Sequence, residues 1–188
     1  VQVDTPNDRS RGGIRFGDVR EARGELMAIA GRDDDLADFD ASKTVFVDTE
    51  TTGLAGGTGT YAFLVGIGFF RDDNFVVRQF FMRDQSEEKA MMSAVAEALR
   101  PFDSAVTFNG RSFDFPLLAT RFILSRIRPQ LDHMVHLDLL HACRRIWGRA
   151  PFAASGGLRL GSLESALLAH ERPTDVPSWK VPQIYFDY

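Results

Sequence analysis

The sequence predicts an α/β fold with a mixed central sheet flanked by helices. Three apolar, strand-like segments come first, and a helix, a fourth strand and further helices follow. A turn-forming tetrapeptide separates the second and third strands, which indicates an antiparallel hairpin at the start of the sheet. A strand that is reached through a helix usually pairs in parallel, so we expect the sheet to continue with parallel strands.

The strands are predicted from runs of β-branched and aromatic residues. The first run is "TVFVD", and side-chain alternation places Phe46, Asp48 and Glu50 on one face of this strand. The segment "YAFLVGIGFF" pairs with "NFVVRQFFM" through the turn "RDDN". The predicted strands cover residues 44–48, 61–70, 74–82 and 104–108.

Helices are predicted where apolar residues recur every three or four positions. The predicted helices cover residues 18–30, 86–100, 113–127, 136–147 and 161–170. We expect Asp138 to cap the fourth of them and Ser162 to cap the last, because Asp and Ser side chains accept hydrogen bonds from the first helical amides.

The composition is that of one globular domain. The chain has 188 residues, 44% of them apolar, and it contains no apolar run long enough to span a membrane. We divide it into a polar N-terminal extension over residues 1–40 and a domain over residues 41–188. Cys143 is the single cysteine, so no internal disulfide can form and a reducing cytoplasm is the expected compartment. Val1 indicates a piece of a longer or processed product.

The formal net charge of −4 argues against binding nucleic acid through a bulk positive field. Arginine is nevertheless dense near the start and in the second half of the chain, and carboxylates that bind cations change their local sign. The arginines concerned are Arg9, Arg11, Arg15, Arg20, Arg23, Arg121, Arg126, Arg128, Arg144, Arg145 and Arg149. A solvated surface position is the alternative to a phosphate contact for each of them.

Three acidic residues follow predicted strands. Asp48 and Glu50 lie two positions apart, about 6 to 7 Å along the strand, and therefore on one face. Asp114 follows the fourth strand, five residues after Asn109, at the start of a helix. The ends of adjacent parallel strands meet at one edge of a sheet, so Asp114 can join Asp48 and Glu50 there. Helix capping by Asp114 is the structural alternative.

A glycine-rich segment, "GLAGGTGT" over residues 53–60, comes directly after the first two acids. It lacks the lysine of a phosphate-binding P-loop, and a strand rather than a helix follows it. Such a segment is expected to allow a substrate or another backbone to approach closely.

Two motifs carry a resemblance to a known family. "FVDTETTGL" and "TFNGRSFDFPLL" resemble the first two motifs of the DEDD, or DnaQ-like, exonucleases, a branch of the ribonuclease-H-like superfamily. The segments "TGTYAFLVGIGFF", "HLDLLHACRRIW", "LGSLESALLAHER" and "DVPSWKVPQIYFDY" are similar to the YprB-type ribonuclease-H-like domain. The resemblance extends over residues 43–188 and implies a ribonuclease-H-like fold.

The resemblance also implies metal-dependent hydrolysis of phosphodiester bonds from a 3′ end. Two Mg²⁺ or Mn²⁺ ions would suit an all-oxygen site. By carry-over, Asp48 would bridge both ions, Glu50 would bind one and help to position the water, and Asp114 would bind the second. The residues expected to bind the terminal nucleotide are Thr51, Gly53, Leu54, Asn109 and Phe113.

The sequence departs from the family pattern near its end. Family members usually supply a fourth aspartate and a general base from a late helix, and the chain stops at Tyr188 before such a motif. Asp138 and Asp175 are the candidate substitutes for the fourth acid. We therefore expect the last catalytic helix to be missing and the chain to bind metal without cutting well.

Three functions remain open from the sequence. The first is a metal-dependent 3′–5′ exonuclease whose partner is single-stranded DNA or RNA, or a nucleic acid with a free 3′ end. The second is a non-catalytic nucleic-acid-binding or scaffolding module with the same fold. The third is a phosphohydrolase that acts on free nucleotides. Cleavage in Mn²⁺ separates the first two, and competition between mononucleotides and oligonucleotides separates the third.

Overall fold

The computed structural model describes residues 1–53, 58–128, 131–172 and 176–188, apart from the side chain of Ser155. The strands in these residues are β1 (Gln2–Pro6), β2 (Ser10–Arg11), β3 (Ile14–Arg15), β4 (Thr44–Thr51), β5 (Ala62–Arg71), β6 (Asn74–Phe81), β7 (Ser104–Thr107) and β8 (Val135–Asp138). The α-helices are α1 (Phe16–Arg20), α2 (Gly24–Gly31), α3 (Glu88–Leu99), α4 (Asp114–Leu124), α5 (Leu139–Trp147), α6 (Pro151–Gly156), α7 (Leu160–Leu168) and α8 (Val181–Asp187).

Six strands form one mixed sheet in the order β1-β6-β5-β4-β7-β8. Strands β4, β5 and β6 pair antiparallel, and β7 and β8 add in parallel beyond β4. The predicted fold class is therefore confirmed, and it has a physical cause. The tight turn between β5 and β6 permits only antiparallel pairing, whereas α3 and α4 carry the chain back so that β7 and β8 run in the direction of β4.

The core lies on both faces of this sheet. On one face, Val45 and Val47 of β4 pack in the same buried cluster as Leu118 and Phe122 of α4. The opposite face carries a smaller cluster that includes Leu36 in the connection after α2. Burying each such side chain contributes about 1.5 to 3 kcal/mol, so the two clusters hold β4 firmly between layers.

Two helix predictions in the second half of the chain need correction. The segment predicted as a helix over residues 136–147 begins as strand β8, and only its later part is helical. Asp138 caps α5 as expected, since its carboxylate accepts a hydrogen bond from the Leu140 amide. Helix α7 begins earlier than predicted, after Arg159, and Ser162 lies inside it, so the prediction of Ser162 as a cap was wrong. The Ser162 hydroxyl instead donates to the Gly156 carbonyl at 3.0 Å.

The segment predicted as a polar extension, residues 1–40, joins the sheet. Strand β1 pairs antiparallel with β6 over five residues. The helix predicted over residues 18–30 is divided into α1 and α2. Gly24 begins α2 where a Cβ atom would lie 1.9 Å from the Ala37 carbonyl oxygen, so close backbone contact excludes any larger residue there.

No helix in the described part of the chain is both long enough and apolar enough to cross a lipid bilayer.

Candidate functional site

The end of β4 places two carboxylates in an open cleft. Asp48 and Glu50 lie on the same side of the strand, opposite Gly66 and Leu64 of β5, and a register irregularity follows between Glu50 and Thr51. Both acids line a cleft of about 1310 Å³ that is bounded by the ends of the parallel strands and by helices α4 to α7. The sequence prediction that these side chains share one face agrees with this geometry.

Asp114 reaches the same cleft from the first position of α4. It is 7% exposed, and its Oδ1 atom accepts a hydrogen bond from the Thr49 hydroxyl at 2.6 Å. This bond joins α4 to the end of β4, so the relative position of Asp114 and the β4 acids is fixed by a contact between the two elements. The juxtaposition of Asp48, Glu50 and Asp114, expected from strand order, is present in the cleft.

The electrostatics of this group are unfavourable without a cation. Asp48 keeps contact with solvent, but the cleft walls remove part of its hydration. This desolvation is the largest cause that raises the pKa of Asp48, and the negative charge of Asp114 is the second. Desolvation also raises the pKa of Asp114, against the Thr49 hydrogen bond. Arg172 acts in the opposite direction on Asp48. The paired carboxylates therefore carry more negative charge than their surroundings compensate.

This uncompensated charge fits a hard divalent cation. Carboxylate oxygens are the ligands that such cations prefer, and a cation would relieve the repulsion between Asp48 and Asp114. Among the described residues, however, no group of three or more His, Cys, Asp or Glu side chains is already arranged around one metal position. The structure thus brings two carboxylates into direct electrostatic contact, with Glu50 lining the same cleft.

Four of the predicted substrate residues also line the cleft: Thr51, Gly53, Asn109 and Phe113. The Thr51 hydroxyl donates to the Gly53 carbonyl at 2.9 Å, which fixes the start of the glycine-rich segment. Phe113 precedes α4 and is 55% exposed, so an aromatic face is open to solvent beside the acids. Leu54, the fifth predicted substrate residue, lies outside the described residues.

Asp138 occupies a different environment at the end of β8. Its carboxylate accepts hydrogen bonds from the backbone amides of Asn109, Arg111 and Leu140 at 2.8, 3.0 and 3.0 Å. These bonds hold the loop after β7 and begin α5, and Asp138 itself does not line the cleft. Its assignment as a fourth acid stays a prediction. Asp175, the other candidate, lies outside the described residues.

A comparison with protein families identifies this arrangement. The family model described as "RNase_H superfamily" matches residues 45–188, which include every described element from β4 to α8. The chain belongs to the RNase H superfamily. Nucleases with this fold generally use divalent metal ions, and the fold implies binding to nucleic acid.

A curated relative supports the same assignment for this RNase H domain. "Uncharacterized protein YprB" of Bacillus subtilis (strain 168) is 35% identical over 151 residues. The match covers 80% of this chain and 35% of the relative, so the chain spans about a third of the length of that protein. The YprB-type resemblance seen in the sequence is therefore confirmed.

The sequence left Arg121 open between a phosphate contact and a solvated surface position, and the structure instead buries it beside the cleft. Arg121 of α4 is 2% exposed and forms an ion pair with Glu88 of α3. Its Nη1 atom also donates to the carbonyls of Thr58 and Thr60 at 2.7 and 3.3 Å. Its guanidinium lies 4.1 Å from the centroid of the Tyr61 ring. Arg121 thus anchors the second half of the glycine-rich segment to two helices.

A sequence signal for Arg121 existed. It is adjacent to Phe122 and three positions after Leu118, and both of these apolar residues are buried on α4. An arginine within an apolar helical stripe must find several partners if it is to be buried. The sequence does not reveal which partners these are, since Glu88 and Thr58 are more than 30 positions away.

His136 lies in β8 behind the cleft and is held as a neutral ring. Its Nε2 atom is 2.8 Å from the Thr107 hydroxyl, and its ring stacks on Phe115 with centroids 4.1 Å apart. Burial and then the charge of Arg111 lower its pKa to about 4, against the charge of Asp138. His136 therefore supports the β7–β8 pairing of the RNase H domain without adding positive charge near neutral pH.

Proposed function

We propose that this RNase H domain is a divalent-metal-dependent 3′–5′ exonuclease that acts on single-stranded DNA or RNA. The observation that carries the proposal is the pair Asp48 and Asp114, two carboxylates of raised pKa that share one open cleft with Glu50. Carboxylates in this state favour divalent cations because cation binding removes both the repulsion and part of the desolvation cost.

The chain's own residues then have distinct roles. Asp48 and Asp114 would hold two Mg²⁺ or Mn²⁺ ions between them, and Glu50 would hold one ion and orient the attacking water. When bound, such ions make water a better nucleophile and stabilise the leaving oxygen of the phosphodiester. Thr49 keeps Asp114 in place through the hydroxyl bond at 2.6 Å, so the two carboxylates keep their separation during the reaction.

The substrate end is proposed to lie between Phe113 and the start of the glycine-rich segment. An exposed aromatic ring gives a base a stacking surface that tolerates any sequence. Thr51, Gly53 and Leu54 would bind the terminal nucleotide through the backbone, and Asn109 would complete the pocket on the side of β7.

The test is cleavage of a 5′-labelled single-stranded oligonucleotide in Mn²⁺, with EDTA as the control. We would use both the present chain and the full-length gene product, because the chain covers only a third of its relative. A ladder that shortens stepwise from the 3′ end, and that Asp48→Ala abolishes, is the expected result. Cleavage that persists in Asp48→Ala would overturn the proposal.

A non-catalytic nucleic-acid-binding module of the same fold is the second candidate. The observation that favours it is that Asp138, a candidate for the fourth acid, already accepts hydrogen bonds from three backbone amides at the end of β8. This candidate predicts salt-sensitive oligonucleotide binding with no cleavage by the full-length protein in Mn²⁺. The labelled-oligonucleotide experiment separates the two candidates directly.

A further inference from the structure

The cleft that holds the acids has a second wall of opposite charge. This wall is formed by α5, by the residue that precedes α7 and by the segment that follows α7, and it carries three arginines that line the same cleft as Asp48. We call Arg144, Arg159 and Arg172 the arginine wall. A chain with a formal net charge of −4 thus concentrates cations on one side of the cleft and carboxylates on the other.

Arg172 is the residue of the arginine wall whose charge acts on Asp48. Its Nε and Nη2 atoms donate to the two carboxylate oxygens of Glu164 at 2.6 and 2.7 Å, and 41% of its side chain is exposed. Its charge lowers the pKa of Asp48, against the raising effects of burial and Asp114. The fork geometry therefore holds a guanidinium in one orientation within electrostatic reach of the acids.

Arg144 and Arg159 differ from Arg172, the third residue of the arginine wall, whose guanidinium forms an ion pair with Glu164. Arg144 and Arg159 are exposed, and no residue in the described ranges forms an ion pair or hydrogen bond with either guanidinium. Each keeps its full set of donors available to an anion in the cleft.

Several small residues line the cleft together with these two arginines and with Leu158 and Leu160. They are Gly148, Ala153, Gly157 and Gly161. A Cβ atom added at Gly157 or Gly161 would meet no described atom within 4 Å. These positions therefore leave room in the cleft for a polymer backbone.

We propose that Arg144 and Arg159 bind successive backbone phosphates of a single-stranded nucleic acid whose 3′ end lies at Asp48 and Asp114. This inference rests on the proposed function, since it assigns the path by which the substrate leaves the acids. Phosphates suit guanidinium groups because both have matching planar hydrogen-bond geometry. The bases of the same strand would face the opposite wall, where Phe113 is exposed.

The test is oligonucleotide binding in EDTA, which prevents cleavage and so separates binding from catalysis. A fluorescein-labelled twelve-nucleotide dT strand is titrated with the chain at several salt concentrations. Arg144→Gln/Arg159→Gln is expected to weaken binding at least about tenfold at ~0.1 M salt. The slope of log Kd against log salt should fall by about 0.7 for each phosphate that the protein no longer neutralises.

Arg149→Gln is the matched control. Arg149 is exposed just after α5 and does not line the cleft, so its substitution removes the same charge and should leave both affinity and salt slope unchanged. A second variant, Gly161→Trp, adds a large side chain to the cleft lining without removing charge. It is expected to weaken binding at least about fivefold, because the indole would displace one or two phosphates or bases from the surface.

The outcomes decide between distinct conclusions. Wild-type affinity and salt slope in the double arginine variant would contradict phosphate binding by Arg144 and Arg159. An equal loss of affinity in Arg149→Gln would contradict it as well. Displacement of the oligonucleotide by polyglutamate of equal charge would also overturn it, in favour of general anion binding. Loss of binding in the double variant, together with no cleavage by the full-length wild type, would support phosphate binding by Arg144 and Arg159. The same result would contradict the proposed exonuclease activity.

Discussion

The ends of β4 and β8 both carry aspartates, and these aspartates have opposite relations to their surroundings. Asp138 after β8 accepts hydrogen bonds from three backbone amides. Asp48 on β4 has mainly the carboxylate of Asp114 as its charged neighbour, and its pKa is raised. Both aspartates lie towards the carboxyl ends of parallel strands in one sheet. The position in the fold therefore does not by itself decide the role of a carboxylate.

The difference shows that hydrogen-bond donors decide whether a carboxylate is structural. A carboxylate with several backbone donors is stabilised in its charged form and has little to gain from a cation. A carboxylate that faces another one and has fewer such donors is destabilised until a cation arrives. The carboxyl ends of these strands therefore provide a structural carboxylate, Asp138, at β8 and a candidate ion site at β4.

The largest expected difference between the β4 and β8 aspartates is in the rate of cleavage. Asp48→Asn and Asp114→Asn should each lower the cleavage rate of an oligonucleotide in Mn²⁺ by about 10³-fold, because each removes an ionic ligand from the proposed metal site. Asp138→Asn keeps side-chain oxygen for the amides and should retain most of the activity. Equal losses in all three variants would show that Asp138 belongs to the catalytic group.

The next effect concerns the structural carboxylate. Asp138→Ala leaves the amides of Asn109, Arg111 and Leu140 without their acceptor, and it should lower the free energy of unfolding by about 4 kcal/mol. Asp48→Ala removes the acceptor of one backbone hydrogen bond, that of Thr49, and should have a much smaller effect. Urea unfolding followed by circular dichroism measures both. A small decrease in Asp138→Ala would mean that water replaces the carboxylate easily.

The two regions should also respond to pH in opposite directions. The pKa of His136 falls from 6.5 to about 4 in the folded domain, so folding favours its neutral form. Its contribution is present above pH 6.5 and is lost as pH falls towards 4, by roughly 3 kcal/mol in total. Urea unfolding of wild type and His136→Phe at several pH values measures this change.

In the His136→Phe variant the stability curve should be flatter between pH 6.5 and 4, because the titrating ring is absent. The aromatic replacement keeps the stacking on Phe115 but cannot form a hydrogen bond with Thr107. An unchanged pH dependence would show that another group is responsible for the acid response.

The smallest effect concerns the metal-free acids. Because the pKa of Asp48 is raised, its contribution to stability is present at low pH and is lost as pH rises above the ordinary value of 3.8. In EDTA at pH 7, Asp48→Asn should therefore melt on the order of 2 °C above wild type. Millimolar Mn²⁺ should raise the Tm of wild type and leave that of Asp48→Asn almost unchanged. A Tm below wild type in EDTA would contradict the repulsion between Asp48 and Asp114.

The sequence predicted most of the sheet because its strands have strong local signals. Strands β4, β5 and β6 are rich in β-branched and aromatic residues, and the short turn between the last two permits one pairing. Strands β1 and β8 have no such signal. The first is polar with Pro6 at its end, and the second is the four-residue "VHLD", which directly precedes a helix. Partners distant in the sequence make these two segments strands.

The candidate site was predictable to the extent that it follows from alternation and strand order. The face shared by Asp48 and Glu50 follows from a period of two, and the approach of Asp114 follows from parallel strands that end together. The burial of Arg121 and the isolation of Arg144 and Arg159 could not be derived in the same way. They depend on which side chains from distant segments come near, as Glu88 does at Arg121.

Strand β1 also affects how the domain can associate with other molecules. It covers the edge of β6, is itself mainly polar, and ends at Pro6, which has no amide hydrogen to donate. The opposite edge is β8, which is only four residues long. Neither edge offers a long template for a further strand, so self-association by β-sheet extension is disfavoured. Partners of this domain would have to recognise side chains and not an open row of peptide groups.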